Sequence, residues 1–210
     1  MFKCFTILIF SVLGITLGLV SAEAETDDKA RWNAKYADKP YQYGEEPIEF
    51  IKDTLSLLPR GKVLDIAMGE GRNGVYLAVQ GFEVKGVDIS DVGLRKAEAL
   101  AKKNNVTIKT EAVDLTKNFS LPDNSYDVII LSYYLQRDLY GKIKKALKPG
   151  GMAIIESYNT DYSKYNSKFN KEWLLTKNEL YEEFKDLKIL KYQNVDDGKV
   201  AYSSLLVKKE

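Results

Sequence analysis

Residues 63–74 read VLDIAMGEGRNG, so a carboxylate, Asp65, lies in an apolar run and Gly69, Gly71 and Gly74 follow it in a G-x-G-x-x-G turn. Such a turn brings bare backbone close to a ligand at the point where a strand gives way to a helix. Asp88 stands 19 residues after Gly69, at the end of the next apolar run, where a carboxylate accepts two hydrogen bonds from the vicinal hydroxyls of a ribose. Asp114 follows a third run and offers an acceptor to an adenine amino group. A nucleoside cofactor is the expected ligand, and two chemistries compete for the site. A nicotinamide dinucleotide brings a pyrophosphate, which wants a helix N-terminus free of neighbouring anions. S-adenosylmethionine brings an ammonium and a sulfonium and no phosphate. Asp65 and Glu70 beside the turn favour the cationic ligand.

Two further groups of residues invite a chemical reading. Trp32, Tyr36, Tyr41 and Tyr43 precede the turn; they form either an aromatic face that packs the N-terminal segment down or a lid whose ring faces favour a sulfonium. Tyr133 and Tyr134 follow the fourth apolar run, with Arg137 just beyond. Alternation along a strand sends one tyrosine to the core and the other to a pocket. Arg137 is either a surface arginine at a helix start or the group that orients an anionic substrate with its planar donor fork. Tyr133 and Arg137 are therefore the acceptor-side candidates.

What is missing narrows the chemistry. The chain has no histidine and a single cysteine, Cys4, with 31 basic residues against 30 acidic ones and a net charge of +1. This removes the commonest general base and metal ligand, the Ser-His and Cys-His nucleophile systems, and any disulfide framework; no metal site is expected. Balanced charge argues against a nucleic-acid partner, because phosphate binding needs concentrated cationic surface. A base would have to be a carboxylate raised in pKa or a lowered Tyr or Lys. That favours small substrates which ionise unaided. Two other readings stay open: a cofactor-binding module or sensor without turnover, and a nicotinamide-linked oxidoreductase.

The elements that must position these residues follow from periodicity. With 210 residues, 45% hydrophobic and 29% charged, the chain has the size of one ordinary domain. Strand-like runs are predicted at 62–67, 82–87, 106–113, 126–131 and 151–157, alternating with amphipathic helices, which is the pattern of an open parallel α/β sheet. Gly81 is expected to close a helix over 72–80, Ser90 to cap the next, and Lys148-Pro149-Gly150-Gly151 to stop a helix over 138–147. Thr176 and Glu179 form a capping box opening a helix to about Lys185, and runs at 187–194 and 200–207 flank Asp196-Asp197-Gly198 as an antiparallel hairpin. Ahead of this domain, taken as 25–210, Lys3 precedes a charge-free run over 5–20 and then Ala22 and Ala24. Residues 1–24 read as a cleaved signal peptide for export or as an uncleaved membrane anchor.

The arrangement resembles the class I S-adenosylmethionine-dependent methyltransferases over roughly residues 31–208. Asp65-x-x-x-Gly69-x-Gly71, Asp88, Asp114-Leu115, Tyr126-Asp127-Val128 and Leu147-Lys148-Pro149-Gly150-Gly151 match its successive motifs. Within the class, Trp32-Asn33-x-x-Tyr36, Tyr43-Gly44-x-x-Pro47, Gly71-Arg72-Asn73 and Tyr134-Leu135-x-Arg137-x-Leu139 are most similar to the tellurite-resistance and thiopurine methyltransferase group. The resemblance implies a Rossmann-like, mostly parallel sheet with helices on both faces and a C-terminal antiparallel hairpin. It implies S-adenosylmethionine held by Trp32, Tyr43, Asp65, Ala67, Gly69, Gly71, Asp88, Ile89, Asp114, Leu115 and Leu131, and methyl transfer to a small, soft or anionic acceptor. One departure stands out: Ala67-Met68 occupies the place of the family's usual Gly-Cys or similar small pair, and a methyl at 67 is expected to narrow the approach to the methionine part of the cofactor.

Overall fold

The computed structural model describes residues 27–210. The segment expected to direct export or anchoring, with Cys4, lies outside the described residues. Seven strands form one sheet in the order β3-β2-β1-β4-β5-β7-β6: β1 Lys62–Ile66, β2 Glu83–Asp88, β3 Lys109–Ala112, β4 Tyr126–Ser132, β5 Leu147–Tyr158, β6 Lys188–Asp196 and β7 Ala201–Lys208. The first five are parallel, and β7 runs antiparallel to both β5 and β6. The Rossmann-like methyltransferase fold expected from the sequence is the observed one. Strand order reverses between β1 and β4, so the crevice for a ligand opens above their carboxyl ends.

Alternation builds two cores. On one face Leu64, Ile66, Ile129, Leu131 and Ile155 pack against α5 (Leu139–Ala146) and α6 (Glu179–Phe184). On the other, Val63, Val84, Val128, Ile130 and Ile154 meet α2 (Glu49–Thr54) and α3 (Arg72–Val79). Because both faces are covered, the central strands read as unbroken apolar runs. Helix α4 (Asp91–Lys103) starts where expected, with the Ser90 hydroxyl accepting the Gly93 N–H at 3.0 Å. The closing hairpin turns on Asp197, whose Oδ1 accepts the Lys199 and Val200 N–H groups, both at 2.8 Å.

Three details differ from expectation. β5 begins at Leu147, ahead of the Pro-Gly-Gly turn, because Tyr126 already pairs with Leu147 before the register shifts at that turn. Helix α6 starts at Glu179 and not just after Thr176; Glu179 accepts both the Thr176 N–H (2.9 Å) and its hydroxyl (3.0 Å), while Asn178 is left-handed. Two helices ahead of the sheet, α1 (Asp27–Ala37) and α2, had no prediction. Helix α1 is polar on most sides and is held by contacts to α4, including a Lys29–Asp91 ion pair at 2.6 Å and a Ser90 hydroxyl bond to Asn33 at 2.6 Å.

Candidate functional site

Asp65 is 1% exposed near the carboxyl end of β1. Its Oδ2 accepts the Gly74 N–H at 2.9 Å, whereas Oδ1 is buried with no hydrogen-bond partner. Burial pushes this carboxyl up to about 7 against the lowering effect of the Gly74 bond. A buried acceptor without a donor costs about 1–3 kcal/mol and more when charged, so the site is complementary to a cationic donor. The ammonium of an S-adenosylmethionine methionyl group has that chemistry, and a pyrophosphate does not. The residues at the turn therefore fit the cationic nucleoside.

Asp88 ends β2, also buried, and its two oxygens accept the Gly69 and Ser90 N–H groups at 2.8 Å each. Burial raises its pKa and these backbone bonds oppose the rise. Each oxygen keeps a lone pair for a ribose hydroxyl. Gly69 is left-handed, and a Cβ there would sit 2.6 Å from the Tyr36 hydroxyl. Tyr36 thus lies directly on the turn. Its ring packs between Gly69 and Gly93, stacks on Trp32 with centroids 5.5 Å apart and meets Tyr43 edge-on at 6.4 Å. Of the aromatic residues ahead of the turn, Tyr36 is buried as packing, Trp32 is half-buried and Tyr43 is 44% exposed at the rim.

Glu70 does a different job from the one its position suggested. It accepts the Gln42 N–H at 2.7 Å and pairs with Lys96 at 2.9 Å. The Lys96 ammonium also donates to the Tyr36 and Lys39 carbonyls. This buried pair fastens residues 36–43 over the crevice; it does not face the ligand as a second anion. The Ala67-Met68 departure also has a physical account. Ala67 is left-handed at φ 54°, a strained setting for any residue with a Cβ. Met68 folds inward, its sulfur 1.7 Å from where a Gly86 Cβ would stand, so bare β2 backbone makes room for it.

The remaining cofactor candidates divide. Asp114 closes a local turn, accepting the Thr116 N–H at 3.0 Å and hydroxyl at 2.6 Å, and these bonds hold its pKa low. Its chain still reaches the ribose side, since the Val113 N–H bonds the Asp88 carbonyl at 2.8 Å. Leu115 and Leu131 are 4% and 1% exposed in the first core and support the crevice floor from below, while Ile89 is half-buried beside Asp88.

On the acceptor side, Tyr133 and Tyr134 go to opposite faces as alternation requires. Tyr133 is left-handed at φ 54° and packs 4.8 Å from the Tyr158 ring. Tyr158 stacks on Tyr162 at 4.1 Å, and Phe169 and Trp173 extend this aromatic wall. Arg137 corrects the expectation of a free fork. Its Nε and Nη2 pair with the Glu179 carboxylate at 2.8 and 3.0 Å, and further donors reach the Glu172 and Leu174 carbonyls. Because four of its five N–H donors are taken, with Nε and Nη2 forked on Glu179, Arg137 fixes segment 172–179 and offers no open fork to an acceptor. The guanidinium near Tyr133 is Arg72, 5.8 Å over that ring and bonded to the Tyr43 carbonyl at 3.1 Å. No carboxylate among the described residues forms an ion pair with it. Its place directly after Gly71, at the first position of α3 above the crevice, was the sequence signal for it.

With this geometry in hand, comparison with known proteins decides the family. A family model described as tellurite resistance protein TehB matches residues 31–202. The chain belongs to the TehB family. It is 25% identical over 179 residues to a probable S-adenosyl-L-methionine-dependent methyltransferase TehB of Haemophilus influenzae, covering 76% of this chain and 61% of that protein. It is 30% identical over 132 residues to phosphoethanolamine N-methyltransferase 2 of Caenorhabditis elegans, covering 60% of this chain and 30% of the relative. The crystal structure of TehB from H. influenzae superposes with a TM-score of 0.66 at 22% identity, over 78% of this chain and 63% of that one. The PH0226 protein of Pyrococcus horikoshii OT3 gives 0.63 at 22% identity, over 78% and 89%. The chain thus spans about three fifths of the length of the curated H. influenzae relative.

Proposed function

We propose that this TehB-family chain is an S-adenosylmethionine-dependent methyltransferase acting on a small, soft or anionic acceptor: a thiol, a selenol or a tellurite-like oxyanion. The observation that carries the reading is the partnerless buried Oδ1 of Asp65 beside the glycine turn, an acceptor that a methionyl ammonium completes. When bound, the cofactor supplies an electrophilic methyl group on a sulfonium, so the protein has chiefly to align, desolvate and exclude water. Asp65 and Asp88 hold the amino and ribose ends, Tyr36 and Tyr43 close over them, and Arg72 with the tyrosines around it receives the acceptor's negative charge. The acceptor preference rests on the family name and on this cation among aromatic rings. Residues 1–24 are proposed to export or anchor the domain.

A thermal-shift panel tests the cofactor. S-adenosylhomocysteine should stabilise the protein, as any ligand selective for the native state must; stabilisation by NAD alone would sink the assignment. Product analysis with alkyl thiols, aryl thiols, selenols and tellurite then tests the acceptor class.

A further inference from the structure

Glu156 lies on β5 and is 2% exposed, yet no lysine or arginine among the described residues forms an ion pair with it. Its Oε2 accepts the Ser204 hydroxyl at 2.7 Å from the neighbouring β7, and the Tyr133 phenol is directed at the same carboxylate. Tyr133 is tied to this residue a second time, its N–H donating to the Glu156 carbonyl at 2.7 Å. The left-handed backbone that this places on Tyr133 costs about 1–2 kcal/mol, and strain of this kind collects at functional sites. A glutamine would satisfy the serine and the phenol without the expense of a buried charge. Packing therefore leaves the ionisable group unexplained, and its position, directly behind an acceptor-side tyrosine in a chain without histidine, gives it a use.

We infer that Tyr133 and Glu156 form a proton-accepting pair at the acceptor edge, so that the acceptor enters carrying its proton and gives it up as the methyl group is transferred. The inference rests on the methyltransferase reading above and narrows it to thiols that carry their proton at neutral pH, such as alkyl thiols. The acceptor's lone pair closes on the methyl carbon, the carbon–sulfur bond breaks, and its electron pair returns to sulfur. The acceptor's proton passes to the Tyr133 oxygen while the Tyr133 hydroxyl proton passes to the Glu156 carboxylate. Tyr133 is the group that meets the acceptor; Glu156 acts through it. The groups facing Glu156 are Tyr133 from the end of β4, Arg72 from α3, and Ser204 and Tyr202 from β7. Burial raises the carboxyl, and Ser204, Tyr133 and Arg72 oppose that rise.

The test compares two acceptors on the full chain with saturating S-adenosylmethionine: an alkyl thiol, protonated at pH 7, and a nitro-substituted aryl thiol, already ionised there. Tyr133→Phe and Glu156→Gln should each lower kcat for the alkyl thiol at least tenfold more than for the aryl thiolate, within the range of general-base effects. In wild type the alkyl-thiol rate should rise with pH through the Glu156 ionisation. In Glu156→Gln the rise should move to the thiol's own ionisation. Equal losses with both acceptors would make the pair structural and overturn the inference. A second readout needs no acceptor: the Glu156 carboxyl band, identified in infrared difference spectra by its absence from Glu156→Gln, should titrate above the exposed glutamates and shift in Tyr133→Phe. A band that titrates with the exposed groups and ignores Tyr133→Phe overturns the pair. If S-adenosylhomocysteine fails to stabilise wild type, the methyltransferase reading itself falls. If it stabilises wild type and neither thiol is methylated, the acceptor class and the role of the pair fall while the cofactor assignment stands.

Discussion

The buried Asp65, with its Oδ1 left bare, makes the cofactor-free protein sensitive to pH in a way its complex should not share. Ordinary aspartate ionises near 3.8, and burial holds the Asp65 carboxyl up to about 7. Because the folded-state pKa is the higher one, this group's stabilising contribution is fully present below about pH 3.8 and is lost as pH rises towards 7. Forcing the buried group to ionise costs on the order of 4 kcal/mol at about 1.4 kcal/mol for each decade of proton activity. For a chain of this size each kcal/mol moves Tm by roughly 2–4 °C. Asp65→Asn removes the charge and keeps an acceptor for the Gly74 N–H. The cofactor-free variant should therefore melt several degrees above wild type at pH 8, with the difference falling to roughly 40% of that at pH 5 and closing only near pH 3.8. A methionyl ammonium reverses the balance by favouring the ionised carboxylate. S-adenosylhomocysteine should accordingly bind wild type up to about tenfold more tightly per pH unit as pH rises to 7, then level off, and should barely stabilise Asp65→Asn at any pH. Differential scanning fluorimetry over pH 5 to 8, with and without ligand, reads both effects. The reasoning is refuted if Asp65→Asn melts below wild type at pH 8 and keeps its full ligand shift.

Other outcomes follow from the same geometry. Ala67→Gly releases a left-handed alanine, worth about 1–2 kcal/mol, against a smaller gain in unfolded-chain entropy; it should raise Tm by a degree or more, and a fall would show that the Ala67 methyl packs usefully. Lys96→Met leaves Glu70 buried without its cation, at a cost of about 3 kcal/mol, and hydrogen exchange should show residues 27–43 deprotected while β1 and β4 stay protected. Arg137→Ala should cost about 1 kcal/mol of stability, as a part-exposed ion pair does, with the acceptor KM little changed; the double variant with Glu179→Ala should cost less than the sum of the two single losses. A large KM increase in Arg137→Ala at unchanged stability would return that arginine to the acceptor site.

The parallel sheet was legible because its strands are buried on both faces and its helices are punctuated by Ser90, Gly81 and the Pro-Gly-Gly turn, all local signals. The positions of Asp65 near the end of β1 and Asp88 at the end of β2 were legible for the same reason: an apolar run fixes where the carboxylate that closes it stands. Helix α1 was not, because its sequence DDKARWNAKYA has no apolar stripe, and its stability comes from α4 in the form of Asn33, Lys29 and Tyr36 contacts. Arg137 was misread for a related reason. A fork-shaped donor near an acceptor edge points equally to a ligand and to a carboxylate 42 residues further on, and only the fold shows that Glu179 takes it. Glu70 beside the turn likewise turned out to serve residues 36–43.

One pattern was present in the sequence and becomes readable once the register is known. On the face covered by α2 and α3, each central strand runs apolar and then changes to a polar residue two positions on: Val63 to Asp65, Ile130 to Ser132, Ile154 to Glu156, and, in the reverse direction along antiparallel β7, Leu206 to Ser204. The steps fall side by side. Ser132 pairs in register with Glu156 and Glu156 with Ser204, while Asp65 stands two residues lower, opposite Ile130. Strands about 4.8 Å apart put the Asp65 and Glu156 strands two spacings, about 10 Å, from each other across β4. That separation gives the two carboxylates independent tasks. Asp65, with an oxygen left bare, suits a fixed cation; Glu156, bonded by the Ser204 hydroxyl and faced by the Tyr133 phenol, suits a mobile proton. Environments that set two carboxylates apart in this way can divide binding from proton transfer, and the proposed division follows from which strand each residue stands on and which neighbours the sheet supplies.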